Sequence, residues 1–204
     1  MFEVLDGPLS LATIESYADL PIAFEVACVF EVTSGGAGAG IGGPFALVER
    51  TLGTPYVKDY DAVAGDAPTA WAGRFDLSRW RSFFARMEGR PVGAAAVAFD
   101  TPEVEMLEGR RDLALLWDIR VAPAARGRGV GAALVRAAER WALSKGCREW
   151  KVETQNINVP ACRFYERMGC PLRTVNYGAY PDLPHEIQLL WYKDLPFAEG
   201  ASRP

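Results

Sequence analysis

One stretch limits what this chain can fold into more than any other: Arg126-Gly127-Arg128-Gly129-Val130-Gly131. It lies between an apolar run ending at Val121 and a helical pattern opening with Ala132-Ala133-Leu134. Strand, glycine turn and helix in that order form a cradle for an anion. The glycines let the backbone close on a ligand with no Cβ in the way. The first N–H groups of the helix lack an internal partner and point outward at the positive end of its dipole. Arg126 and Arg128 add fixed positive charge suited to a diphosphate. The same residues would also serve as a tight, solvated turn with two surface arginines, so the flanking elements must decide.

The chain is 204 residues long, 50% hydrophobic and 24% charged, enough for a full domain with a sizeable core. No apolar run approaches the roughly 20 residues of a membrane span. The opening Met1-Phe2-Glu3-Val4-Leu5-Asp6 lacks the basic and apolar regions of a secretory signal. A net charge of −4 argues against a nucleic acid and for a cationic partner. Cys28, Cys147, Cys162 and Cys170 show no CxxC spacing and read as reduced thiols in a cytoplasmic protein. His185 is the only histidine, which weighs against a His-rich metal site or a Ser-His-Asp triad.

Along the chain, Phe24 to Val32 reads as a strand that runs into a glycine-alanine loop, Gly35 to Gly43. Gly38, Gly40 and Gly43 match GxGxxG, but Pro44 and the poor helical pattern beyond it favour a simple connection. Residues 55–80, rich in Asp, Pro and Trp, read as an ordered irregular segment. Ser82–Met87 and Pro91–Phe99 read as a hairpin around Glu88-Gly89-Arg90. Leu113 to Val121 is the next strand, with Leu115, Trp117, Ile119 and Val121 on one face and Leu116, Asp118 and Arg120 on the other. A helix follows from Gly131 to Lys145, with Gly146 ending it. Then come a strand over Glu149–Gln155, a short helix capped by Asn158 and stopped by Gly169, and a last strand over Glu186–Tyr192.

The Arg-x-x-Gly-x-Gly turn after Trp117-Asp118-Ile119-Arg120-Val121, followed by Asn158-x-x-Ala161-x-x-Phe164-Tyr165-x-x-x-Gly169, resembles the GCN5-related N-acetyltransferases (GNAT). Glu153-Thr154-Gln155-Asn156-Ile157-Asn158-Val159-Pro160-Ala161-Cys162 and Glu186–Tyr192 are similar to the streptothricin acetyltransferase-like branch. The resemblance runs from about Arg81 to Leu195, over an acetyl-CoA-binding core. Residues 1–80 form a divergent first part of what is read as a single domain, 1–204. The resemblance implies an α/β (α+β) GNAT fold: a mixed central sheet splayed at its central strand, flanked by helices on both faces, with acetyl-CoA in the wedge and no metal. The pantetheine would pair with the backbone of Ile119, Arg120 and Val121. The pyrophosphate would sit on the N–H groups of Arg128, Gly129, Val130, Gly131 and Ala132, past Gly127 and beneath Arg126. Asn158 would meet the CoA arm and Tyr165 its sulfur. The fold often pairs through its C-terminal strands, which leaves a homodimer open.

Acetyl transfer to an amine needs the reactants in line, which can remove roughly 7–11 kcal/mol of entropic barrier. The amine must also lose a proton. For a lysine-like pKa of about 10.4, neutrality at pH 7 costs roughly 4–5 kcal/mol. A carboxylate is the natural proton acceptor and a phenol a natural donor to the leaving thiolate. Tyr165 is the candidate acid, against an alternative as a packing aromatic beside Phe164. Asp118, a carboxylate inside an apolar strand, is the first candidate base. Its alternative is an ion pair with Arg120 or Lys151. Glu153 on the adjacent strand competes for the role, and Glu186 stands third. Cys162 and Cys170 lack activating partners for a covalent route, and His185 reads as a surface residue.

The acceptor is read as a small-molecule or peptide amine. Asp59, Asp61, Asp66, Asp118 and Glu153 suit a polyamine-like or aminoglycoside-like cation, with Trp71 and Trp80 as further candidates to line its site. Two other classes compete. Gly127–Ala132 also matches the GxGxxA of a dinucleotide-binding oxidoreductase, although too little chain follows it for such a domain. A CoA-binding sensor without turnover would keep the same fold.

Overall fold

The structure, a computed structural model, describes residues 1–34 and 45–196. The glycine-alanine stretch Gly35–Gly43, with its Gly38, Gly40 and Gly43, lies outside the described residues. The strands are β1 (Glu3–Pro8), β2 (Phe24–Ser34), β3 (Phe45–Lys58), β4 (Arg81–Met87), β5 (Arg90–Phe99), β6 (Leu113–Val121), β7 (Glu149–Gln155), β8 (Leu172–Asn176) and β9 (Gln188–Asp194). The helices are α1 (Leu11–Ala18), α2 (Trp71–Arg74), α3 (Val130–Ser144) and α4 (Val159–Arg167). One sheet runs β1-β4-β5-β6-β7-β9-β8, and β2 and β3 form a separate antiparallel ribbon. Only the β6–β7 pair of the main sheet is parallel, so the sheet is mixed.

Local chemistry explains most of these elements. The β4–β5 hairpin turns on Glu88 and Gly89, both at positive φ, with Met87 paired to Arg90; that is a two-residue turn whose twist matches the strands. α4 starts at Asn158, whose side chain accepts the Ala161 N–H at 3.2 Å. α3 is followed by Gly146 at φ 82°, and the Cys147 N–H reaches back to the Ala142 carbonyl at 3.0 Å. β3 was not anticipated from residue 45 onward, and residues 55–58 of the segment read as irregular belong to it. β1, α1 and β8 are further additions. The last strand begins two residues later than read, leaving Glu186 and Ile187 on the approach to it.

Strand alternation sends side chains into two apolar layers. Ala95 and Val97 of β5 face α3 and α4, whereas Ala94, Ala96 and Ala98 face α1 and Trp71. Helices therefore cover both faces of the sheet. The approach of α3 is close: a Cβ on Gly93 would stand 2.9 Å from Val130 Cγ1 and 3.0 Å from the Arg120 carbonyl oxygen. Gly93→Ala is expected to cost about 1–3 kcal/mol, since a backbone carbonyl cannot step aside. An unchanged denaturation midpoint for that variant would show that the packing has slack.

The expected face assignment of β6 needs correction. The ladder to β5 is interrupted between Leu116↔Val97 and Asp118↔Ala96, leaving Trp117 as the extra residue of a bulge. Alternation changes parity there. Leu115 and Trp117 sit in the α1 layer, but Ile119 and Val121 pack in the α3 layer with Leu116. Asp118 and Arg120 are thereby turned toward α1. The parallel ladder with β7 runs only from Leu113↔Glu149 to Leu116↔Val152. Beyond it the two strands separate, β6 staying with β5 and β7 with β9. Among the described residues no helix is long and apolar enough to cross a membrane.

Candidate active site

The divergence of β6 and β7 opens a cleft of about 1040 Å³. Its floor is Leu115–Val121 on one side and Val152–Gln155 on the other. The starts of α3 and α4 contribute to the lining, as do residues before and at the start of β2 (Phe24, Glu25), Tyr60, Asp61, Asp66, Trp71 and Tyr180.

Gly127 and Gly129 take φ 73° and 81°, and neither would meet anything within 4 Å through an added Cβ. This turn delivers the cleft directly to the N-terminus of α3, with Gly129 as its cap residue. Gly127, Gly129, Val130, Gly131 and Ala132 line the cleft, as do Ile119, Arg120, Val121, Arg126, Asn158 and Tyr165. Arg128 is exposed and outside the lining. Arg126 holds the turn in place: its Nε donates to the Val121 carbonyl at 3.0 Å and its Nη2 to Ala23 at 3.4 Å. Tyr165 is 3% exposed, its ring edge-on to Phe164 at 5.1 Å. It packs beside Phe164, as its alternative reading had it, and also lines the cleft. Burial pushes its phenol well above the ordinary tyrosine value, so it stays protonated.

Asp118 pairs with Arg120, as one of its alternatives anticipated. Arg120 Nε and Nη2 reach the two carboxylate oxygens at 3.0 and 3.1 Å, and the Tyr17 hydroxyl donates to Oδ1 at 2.7 Å. The other edge of the guanidinium grips Asp61 at 2.6 and 2.8 Å, and Nη1 also donates to the Leu20 carbonyl at 3.1 Å. Arg120 is 2% exposed, so its charge is fully enclosed by these partners. Lys151, the other partner considered for Asp118, instead binds Glu108 at 2.7 Å and the Met106 carbonyl at 2.9 Å.

Glu153 is surrounded differently. Gln155 Nε2 donates to Oε1 at 3.2 Å, the Tyr180 hydroxyl donates to the same oxygen, and Gln188 Nε2 donates to Oε2 at 2.7 Å. All three donors are neutral. Burial raises the Glu153 pKa above the ordinary carboxylate range, with those hydrogen bonds opposing the rise. Glu186 does not line the cleft. It is tied to Lys58 and to the Tyr60 hydroxyl, 2.6 Å away, which removes it from the list of candidate bases.

Asp61, Asp66, Asp118 and Glu153 line the cleft together with Glu25, and the arginines in the same lining are Arg74, Arg120, Arg126 and Arg167. Asp59 does not; its Oδ1 instead accepts the Asp61 N–H at 3.0 Å. Trp71 lines the cleft, but Trp80 is buried behind it with Nε1 on Thr101 at 3.0 Å. Burial lifts the thiols of Cys147, Cys162 and Cys170 to about 12, which leaves almost no thiolate at neutral pH and speaks against a covalent acetyl-cysteine. His185 is exposed, as read. Sequence reasoning missed Tyr17, Tyr180, Gln155 and Gln188. The signal for Tyr17 and Asp61 was Arg120 itself: an arginine inside an apolar strand demands carboxylate and hydrogen-bond partners.

A model of the acetyltransferase (GNAT) family matches residues 48–170, from β3 through α4. The chain belongs to this family. Streptothricin acetyltransferase of Streptomyces lavendulae is 30% identical over 183 residues, 89% of each chain. The streptothricin acetyltransferase of Escherichia coli is 34% identical over 93 residues; the chain spans about half of that relative, 53% of its length. Among solved structures, nourseothricin acetyltransferase superposes with a TM-score of 0.71 at 25% identity, over 96% of this chain and 99% of that one. As a GNAT member the protein is an N-acetyltransferase with acetyl-CoA as co-substrate. The splayed mixed sheet expected from the resemblance is present, and the glycine turn belongs to a GNAT protein, not to a dinucleotide-binding oxidoreductase.

Proposed function

We propose that this GNAT protein transfers acetyl directly from acetyl-CoA to an amine of a small cationic molecule, with both substrates in the cleft at once. The observation that carries this reading is the cleft's polarity. One end is a glycine turn at a helix N-terminus, suited to a diphosphate. Elsewhere the lining carries five carboxylates, Glu25, Asp61, Asp66, Asp118 and Glu153, suited to a polyamine or a streptothricin-like antibiotic.

Acetyl-CoA supplies the acetyl group as an activated thioester. Ile119, Arg120 and Val121 lie beyond the end of the β7 ladder and, among the described residues, ladder with β5, so they offer it a strand edge. The N–H groups at the start of α3, with Arg126 and Arg128 nearby, receive the pyrophosphate, and Asn158 lines the path of its arm. A backbone N–H of β6 beyond the end of the β7 ladder would polarise the thioester carbonyl. Glu153 takes the proton from the acceptor ammonium, which frees the lone pair on nitrogen for attack. Tyr165, kept protonated by burial, gives a proton to the leaving thiolate. Asp118 positions this wall through its hydrogen bonds with Arg120 and Tyr17.

Gly129→Glu tests the pyrophosphate site. The side chain has open space, although φ 81° costs about 1–2 kcal/mol. It puts a carboxylate where the anion should lie. Acetyl-CoA affinity should fall more than about tenfold, roughly 1.4 kcal/mol, in a calorimetric or thermal-shift titration. Wild-type affinity in the variant would move the pyrophosphate elsewhere.

A further inference from the structure

We propose that Tyr180 is the positioning residue of the base: its hydroxyl holds the Glu153 carboxylate ionised and leaves one oxygen lone pair open to the acceptor. This rests on the reading of Glu153 as the proton acceptor.

An ionised carboxylate has about four acceptor positions. Tyr180 and Gln155 fill those of Oε1, and Gln188 fills one on Oε2. The remaining position belongs to Oε2, so the acceptor ammonium has one place to deliver its proton. Asp118 shows the same occupancy, with three donors, but two of them come from a cation. A guanidinium resists protonation of its partner, whereas a phenol does so only mildly. Glu153 is thus held by groups strong enough to orient it and weak enough to let it accept a proton.

Tyr180 is suited to this in three ways. It sits on the segment between β8 and β9, so it reaches Glu153 from outside the strand that carries the base. Gln155 Nε2 donates to the Tyr180 oxygen at 3.0 Å, which commits the phenolic proton to Glu153. Burial and the neighbouring carboxylates keep that phenol protonated, so it donates across the whole working pH range. Other charges around the pair are already engaged. Lys151 on the same strand is bound to Glu108, and Lys58 and Tyr60 are bound to Glu186. Asp66 and Asp118 also face the cleft, the first beside Arg74 at 3.8 Å and the second on Arg120.

The test is the pH profile of kcat with a cationic amine acceptor for wild type, Tyr180→Phe and Gln155→Leu, with Glu153→Gln in parallel. Loss of the donor should move the acid midpoint upward by about one pH unit in Tyr180→Phe, the scale of a hydrogen bond to a charged group. Below the midpoint the rate then drops about tenfold, while KM for acetyl-CoA holds. Gln155→Leu should shift the midpoint in the same direction. A Tyr180→Phe profile that keeps its midpoint and only raises the acceptor KM would overturn the proposal, leaving Tyr180 as part of the wall. Glu153→Gln separates the two levels. If that variant keeps the acid limb, the base assignment fails; if the limb vanishes there but stays fixed in Tyr180→Phe, only the role of Tyr180 fails.

Discussion

Glu153→Gln is expected to lower kcat by about 10²–10⁴-fold, the range for loss of a positioned general base. The substitution keeps the shape of the side chain and adds donors, so the orienting contacts from Gln155 and Gln188 become partly mismatched while the sheet persists. Affinity for acetyl-CoA should hold, because the glycine turn and the open edge of β6 are untouched. The wild-type rate should fall on the acid side as Glu153 takes up a proton. Its pKa is raised by burial, so that fall belongs above the ordinary carboxylate range. The variant should lack this limb altogether. Stopped-flow or steady-state thiol release across pH separates the outcomes, and a Glu153→Gln enzyme with near-wild-type kcat would reassign the base.

Arg120→Met should have the largest effect on stability. The guanidinium lies between Asp61 and Asp118, gripping each through two bonds while its side chain is 0% exposed. Removing it leaves two adjacent carboxylates, one of them with only 9% of its side chain exposed, without compensation. Breaking a buried pair in this way costs about 3–5 kcal/mol. For a chain of this size that corresponds to a Tm lower by roughly 6–20 °C. The Leu20 carbonyl loses its donor and the Tyr17 ring loses the guanidinium stacked over it at 5.4 Å, so α1 and the Asp61 segment should loosen from the cleft. A drop of a degree or less would mean that water replaces the arginine readily and that the cluster is not closed.

The legible parts of the site are those whose chemistry acts within one turn of chain. Asn158 caps α4 through a residue three positions on, and Gly127 and Gly129 adopt their positive φ within the turn that needs them. Both motifs could be read from spacing. The β4–β5 hairpin was equally local. What escaped was set by partners far along the chain. The bulge at Trp117 depends on the register with β5, and it reversed the faces of Ile119 and Val121. Strands β1 and β8 are short edges, and β3 pairs only with β2, so none shows the clean alternation of a strand with one buried face. Asp118 and Glu153 looked alike as carboxylates in strands. Their difference lies in who donates to them: an arginine and Tyr17 in one case, Tyr180 and two amides in the other. Glu186 looked like a third candidate until Lys58, 128 residues away in sequence, was found bound to it.

The most direct test of direct acetyl transfer is a two-substrate initial-rate experiment, following CoA thiol release while acetyl-CoA and a cationic amine are varied together. Streptothricin and spermidine serve as the acceptors. A ternary-complex enzyme predicts double-reciprocal lines that intersect for at least one of them. Parallel lines would contradict direct transfer and point to an acetylated enzyme, and acetyl-CoA binding with no thiol release to either amine would contradict the cationic-acceptor reading.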